Sequence, residues 1–221
     1  TGDTQAYLDL SVFTDARIRK RFPNLWNLCR RYNLDRKMIP VRPSAHYTIG
    51  GIRIDENGRT SIRNLYACGE CACSGFHGAN RLGSNSLLEC LVFGRRAGRH
   101  AAAIVGKLER VRGDGRGGRF APTNAREIDI DDMRNSLRSL MWRNVGIERE
   151  RGGLTTAMEF IAFWSRYALT TAFHHPDGWE LQNMLTVASL VTRSALAREE
   201  SRGVHYRSDF PETNDRRWKH P

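Results

Sequence analysis

Residues 66–89 read YACGECACSGFHGANRLGSNSLLE, and three of the chain's five cysteines and a histidine fall within the first twelve of them. Cys68, Cys71, Cys73 and His77 are enough ligands for zinc. Structural zinc sites of this spacing, however, pair one short Cys-x-x-Cys cluster with a second pair further along, and none follows here. A thioredoxin-like dithiol needs its first cysteine at a helix N-terminus, where the thiol pKa falls. Cys68 instead closes an apolar run, where a thiol behaves as a small hydrophobe, and the charge of Glu70 inside the pair opposes thiolate formation. The thiols are read as free, and the chemistry is sought in the residues around them.

Those residues are Gly69-Glu70, Gly75 and the run from His77 to Glu89. A strand that ends at a glycine with an acidic residue at its carboxyl edge is where open α/β folds bind ribose or ribityl hydroxyls. The loop then offers small residues, hydroxyls, amides and one arginine, Arg81, framed by glycines. It closes on a helix start, whose free N–H groups and positive dipole end suit an anionic electron-accepting ring. Ser86, or Asn85 beside it, is placed to cap that helix, with Glu89 three residues on as a capping box requires. A plain helix-capping loop accounts for Ser86 but not for Arg81.

Working outward, 49–55 and 61–68 read as strands, and Asn57-Gly58 between them suits a tight hairpin turn. After the loop, Leu87, Leu88, Leu91, Val92, Ala101, Ala102 and Val105 predict a largely buried helix. Gly94 and Gly98 would let it lie close against a sheet. Towards the amino end, Ile18, Phe22, Leu25, Trp26 and Cys29 recur at helical spacing up to about Asn33. Towards the carboxyl end, three helical segments are predicted at roughly 127–145, 152–173 and 178–200, the last carried by Leu181, Leu185, Ala188, Val191 and Ala195, together forming a small antiparallel bundle. The stretch KLERVRGDGRGGRFAPTN (107–124) is a Gly/Arg-rich linker.

The 221 residues carry 35 Lys and Arg against 24 Asp and Glu, a net charge of +11. That balance admits a nucleic-acid or membrane-surface partner, but the basic residues are scattered and no aromatic-interleaved nucleic-acid motif lies among them. A solvated basic surface, or one facing another part of a larger protein, is preferred. No stretch approaches the ~18 apolar residues of a membrane span. The opening TGDTQAYLDL lacks the features of a signal peptide and an initiator Met, so a fragment or processed chain in a reducing cytoplasm is expected.

Three motifs in order, HYTIGG (46–51), ACGE (67–70) and HGANRLGSNSLLE (77–89), resemble the succinate dehydrogenase/fumarate reductase/L-aspartate oxidase flavoprotein family. The likeness extends through RFPNLWNLCRRYNLD (21–35) and ALAREESRGVHYRSDFPE (195–212). SNSLLECLVFG (84–94), LMWRNVGIER (140–149) and ESRGVHYRSDFPE (200–212) look most like its L-aspartate oxidase branch. The resemblance implies an α/β plus all-α fold: the end of a capping domain (1–38), the carboxyl-terminal part of a Rossmann-like FAD-binding domain (39–106), the linker (107–124) and a helical domain (125–221). It implies non-covalent FAD, with Gly50, Gly51, Glu70, Ser86 and Leu87 as cofactor contacts, and a dicarboxylate substrate held by His46 and Arg81. No metal is implied, and neither nucleic acid nor membrane. The family's G-x-G-x-x-G turn and catalytic arginine would lie before residue 1, in the remainder of the same polypeptide, so this stretch alone is expected neither to hold FAD tightly nor to turn over.

The implied reaction is oxidation of L-aspartate to iminoaspartate with oxygen or fumarate as final acceptor, the first step of NAD biosynthesis. The alternatives are a succinate dehydrogenase or fumarate reductase flavoprotein subunit, which needs an iron–sulfur partner and a membrane anchor, and a basic zinc- or nucleic-acid-binding module without catalysis.

Overall fold

The computed structural model describes residues 6–42, 44, 46–106 and 128–219. The segment read as a linker (107–124) lies outside the described residues. By its internal contacts the chain divides into two units, 1–48 and 49–221.

In the first unit β1 (Ala6–Asp9) pairs antiparallel with β2 (Met38–Val41), Leu8 opposite Ile39. Between them run α1 (Asp15–Arg21) and α2 (Pro23–Arg31). The helical spacing predicted from Ile18 to Cys29 is real but broken in two. Pro23 lacks an N–H and occupies the first turn of a new helix, the position that suits it. Thr14 caps α1 by accepting from the Arg17 N–H (3.3 Å). The expected end near Asn33 is met: Asn33 takes φ 51° and the Leu34 N–H closes on the Cys29 carbonyl (2.8 Å), the Schellman geometry an asparagine tolerates. Leu10, Ile18, Cys29 and Ile39 form this unit's core.

The second unit starts with β3 (Ile52–Arg53), which pairs in parallel with β4 (Ala72–Cys73). The predicted hairpin is met only in its turn. Gly58 adopts φ 74° and its N–H reaches the Asp55 carbonyl (3.0 Å). The second strand, expected over 61–68, does not form: a turn at Ile62–Leu65 and Asn64 at φ 65° interrupt it, leaving a single Arg59–Tyr66 bridge. β4 is preceded by a 3-10 turn (Gly69–Cys71) that packs on α3 (Ser86–Val105). Of the two helix glycines, an added Cβ on Gly94 would meet the Cys68 Sγ at 3.8 Å, an ordinary contact. One on Gly98 meets nothing within 4 Å among the described residues, so neither is the tightest approach to α3. That is at Gly58, where an added Cβ would come within 2.8 Å of the Ala97 Cβ. The face of α3 expected to be buried is exposed among the described residues, Leu87 by 78% and Leu91 by 70%.

Helices α4 (Ile130–Val145), α5 (Arg151–Ala168) and α6 (Pro176–Ala197) form the predicted bundle. Leu137, Leu140, Leu154, Ala157, Ile161, Leu181, Leu185, Ala188 and Ala195 fill its core at helical spacing, while Val191 faces outward. Short strands β5 (Glu148–Arg149) and β6 (Tyr206–Arg207) pair in parallel beside it, and α7 (Asp215–Trp218) follows.

The bundle is tied at one end by an ionic knot around a buried arginine. Arg207 is fully buried. One edge of its guanidinium forks onto Asp209, with Nε and Nη2 each 2.7 Å from a carboxylate oxygen. Its Nη1 donates to the carbonyls of Ala195 (2.9 Å), Leu196 (3.2 Å) and Arg198 (3.3 Å) at the C-terminus of α6. Asp209 also accepts from the Arg151 N–H (3.0 Å), the first residue of α5. A cation thus closes the negative end of one helix and an anion the positive end of its neighbour, the sense both dipoles favour.

These groups make the fold acid-sensitive. Hydrogen bonds from Arg202, then from the Asn214 N–H and Arg198, hold the Glu200 carboxyl down to about 2. The Arg207 fork does the same for Asp209, also to about 2. Burial first, then the charges of Arg149, Arg198 and Arg207, push His205 below its ordinary value, while its bond to the Arg198 carbonyl opposes them. All three are depressed on folding. Each contribution is therefore present above the group's unfolded pKa and lost as pH falls towards the folded one. The urea midpoint is expected to fall between about pH 7.5 and 5.5, through His205, and again below about pH 4.5, through the carboxylates. His205→Asn should remove the first fall and leave the second, measured by far-UV circular dichroism.

Candidate cofactor and substrate site

Gly50 and Gly51 stand at the entry to β3 with φ 123° and 111°, conformations that L side chains rarely adopt. An added Cβ on Gly51 would overlap the Cys71 carbonyl, so this glycine is required by packing on the 3-10 turn. Gly50 has nothing within 4 Å on that side. Glu70, exposed in the same 3-10 turn, sits next to the Cys71 against which Gly51 packs. The parallel β3–β4 pairing is what brings these two sequence motifs side by side.

The second cluster is the loop from Ser74 to the start of α3. His77 and Glu89 are both buried and joined at 3.0 Å. The Leu82 N–H donates to His77 Nδ1 (3.1 Å), which makes that nitrogen the acceptor and leaves Nε2–H to donate to Glu89. Ser74 Oγ donates to the other Glu89 oxygen. Glu89 therefore holds the loop and does not close a capping box. Asn85 occupies the cap position without a side-chain hydrogen bond to the helix. Ser86 Oγ is turned to Arg81, whose Nε donates to it at 2.6 Å. Two side chains predicted to cap α3 are thus employed elsewhere, and the Asn85 side chain caps none of the first-turn N–H groups, an arrangement that suits an incoming acceptor. The expected FAD contacts fit a flavin in this respect: a positive-φ glycine, an acidic residue beside it, and a helix start that Asn85 does not cap in the same unit.

His46 falls in the first unit and is exposed. Arg81, half-buried, lies between anchors on either side. In the sequence His77 is weighed as a zinc ligand, and Glu89 and the region 200–212 enter the motifs, but neither the His77–Glu89 pair nor the role of 198–215 in shaping the site is foreseen there. Glu89 looked like a cap, and beyond its motif only the density of charge in EESRGVHYRSD marked the second region.

The cysteines stand apart from this network. Cys29 is in the first core, Cys71 Sγ contacts the Cys68 carbonyl (3.4 Å), and all five are free thiols. Among the described residues no group of three or more His, Cys, Asp or Glu is placed to hold a metal ion. Cys71→Ser, at an exposed site, and Cys73→Ser, a near-isosteric change at a half-buried one, are expected in the full-length protein to leave flavin content and turnover within about twofold of wild type, since substitutions away from the core cost within about 0.5 kcal/mol. A flavin absorbance ratio and a steady-state assay check this.

Comparison with known proteins gives the same frame. The FAD binding domain family model matches residues 1–87, and the fumarate reductase flavoprotein C-terminal model matches 134–221. Chloroplastic L-aspartate oxidase 2-b of Nicotiana tabacum is 37% identical over 97% of this chain and 36% of its own length. A chain of the CoM/CoB fumarate reductase of Methanothermobacter marburgensis is 39% identical over 99% of this chain and 42% of its own. Among solved structures, FrdA of E. coli quinol fumarate reductase superposes with a TM-score of 0.79 at 31% identity, covering 96% of this chain and 40% of that one. A quinol–fumarate reductase with menaquinol gives 0.83 at 33% identity, over 95% and 40%. The chain spans about two-fifths of the length of the relatives it matches. Matched at both ends by these two models and aligned almost throughout with such relatives, the chain belongs to the FAD-dependent succinate dehydrogenase/fumarate reductase flavoprotein family.

Proposed function

We propose that the full-length protein is an L-aspartate oxidase, converting L-aspartate to iminoaspartate in the first step of NAD biosynthesis, with oxygen or fumarate as final acceptor. Arg81 supports the reading best: its position is fixed by Ser86 at the mouth of α3, and a guanidinium offers the planar fork that a substrate carboxylate accepts. Relatives named L-aspartate oxidase, from plants, bacteria and Pyrococcus abyssi, align at 36–41% identity. FAD, when bound, supplies the two-electron acceptor for the hydride leaving the substrate Cα.

The chain's own residues bind and orient. Arg81 holds one carboxylate. His46 is assigned as a hydrogen-bond donor to the dicarboxylate, an assignment that rests on the HYTIGG motif alone. Glu70 would accept from a ribityl hydroxyl, the Ser86 and Leu87 amides would donate to the flavin, and Gly50 and Gly51 would let backbone approach the ring. The domain limits 1–38, 39–106 and 125–221 belong to the same proposal, as does non-covalent attachment of FAD.

The second reading, a fumarate reductase or succinate dehydrogenase flavoprotein subunit, draws on the Methanothermobacter relative and the quinol–fumarate reductase structures. Purified full-length protein separates the two. Iminoaspartate formation from L-aspartate, with flavin released into the supernatant on acid precipitation, is expected. Flavin retained on the polypeptide, with succinate oxidised and L-aspartate untouched, would transfer the protein to the second reading.

A further inference from the structure

The Arg81 loop is held from a second side, by the carboxyl-terminal segment. Arg202 and His205 exchange backbone hydrogen bonds (2.8 and 3.0 Å) around a two-residue turn with Gly203 at φ 59°. Positive φ at the first central residue alone is the pattern of a type II′ turn. The tip of this turn rests on Ala79: the Val204 N–H donates to the Ala79 carbonyl (3.1 Å), and an added Cβ on Gly203 would overlap that carbonyl. Glycine is required here twice, for its conformation and for the contact.

The turn is itself fixed from behind. Arg202 reaches the fully buried Glu200 through Nε and Nη2 (both 3.0 Å to the nearer oxygen) and Asp215 through Nη2 (2.5 Å). His205 takes Arg149 on Nδ1 (2.7 Å) and gives Nε2–H to the Arg198 carbonyl (3.1 Å). On the other flank of the loop, the Leu82 N–H is held by His77, and the Asn85 N–H by the Leu82 carbonyl (3.2 Å). Arg81 therefore sits one residue from one backbone anchor and two from another, one set by α3 and one by the Arg202–His205 turn.

We propose that the Arg202–His205 turn, through Gly203 and Val204, is the positioning element of the Arg81 loop. The helical domain thereby fixes where the guanidinium meets the substrate carboxylate. The proposal rests on the reading of Arg81 as the carboxylate-binding residue, and its physical basis is that a misplacement of about 1 Å in a positioning group can cost about a hundredfold in rate.

The test uses the full-length, FAD-loaded protein. In Gly203→Ala, amide exchange across 79–85 is expected to quicken by about tenfold or more while the bundle helices keep their protection. Its kcat/KM for L-aspartate is expected to fall at least about tenfold, through KM more than through kcat, with flavin content unchanged. In an Arg81→Ala background the same change is expected to cost less than about threefold, because the two act as a unit. Val204→Pro, which removes the donor without adding bulk at 203, gives a second route should Gly203→Ala fail to fold. Unchanged exchange at 79–85 in a folded variant overturns the proposal, and so does a cycle in which the two losses simply multiply. Absence of activity on L-aspartate in the wild type would instead sink the assigned reaction, and exchange across 79–85 alone would then decide the positioning role.

Discussion

Arg81→Ala in the full-length protein is expected to lower kcat/KM for L-aspartate by about ten- to a hundredfold. A hydrogen bond to a charged group contributes about 1.5–3 kcal/mol, and each 1.36 kcal/mol is about tenfold in rate. The fork would be lost, and with it the Nε–H that engages Ser86 Oγ at 2.6 Å. Arg81→Lys is expected to recover little, because an ammonium cannot donate along two parallel directions while also reaching Ser86. Flavin content should move much less than turnover, since the assigned FAD contacts are Gly50, Gly51, Glu70, Ser86 and Leu87. Steady-state kinetics alongside the flavin-to-protein absorbance ratio decide it. Turnover near wild type in Arg81→Ala would remove this residue from the substrate site.

Arg207→Leu is expected to destabilise the helical domain by about 1–3 kcal/mol, the cost of leaving buried acceptors without a donor. The change takes the guanidinium from the Ala195 and Leu196 carbonyls at the end of α6, while the Arg198 carbonyl keeps His205 and the exposed Asp209 keeps the Arg151 N–H. Arg207→Lys keeps the charge but cannot serve the Asp209 fork and the helix end together, so it is expected to restore only part of the loss. Asp209→Ala should be costly in its own right, since it leaves the guanidinium buried and uncaps α5. The double change should cost less than the two single ones added. Urea unfolding followed by circular dichroism measures all four. A loss below about 1 kcal/mol for Arg207→Leu would show that the knot contributes no more than an exposed pair.

The two predictions draw on different kinds of legibility. Arg81 was visible in the sequence because an arginine framed by glycines ahead of a helix start has no use in a capping loop. Arg207 was not. Its neighbours Ser201, Asp209 and the end of α6 become its partners only when β6 pairs with β5 and folds back over the helix C-terminus. Nothing in the local pattern HYRSDF announces that an arginine will be buried.

By itself the sequence determined the local elements with a strong period and the residues with unusual chemistry. Helices α4 to α6 follow from apolar spacing because each buries one continuous stripe, and the Asn57-Gly58 turn and the helix end at Asn33 follow from which residues tolerate positive φ. It also singled out Gly50, Glu70, Arg81 and Ser86 before any contact was known. Tertiary structure decided the rest. The partner of β3 is β4 and not the predicted hairpin strand, because 61–68 turns back on itself at Asn64 and frees β3 to pair in parallel. Glu89 left the capping box for His77 and Ser74, since a buried carboxylate is stabilised most where it accepts from several donors at once. Gly203, more than a hundred residues from Ala79 in sequence, has its role only through a contact that no periodicity encodes. Local propensity reports what a segment does alone, whereas register, burial of charge and the meeting of distant backbones are settled by what else the folded chain brings to the same place.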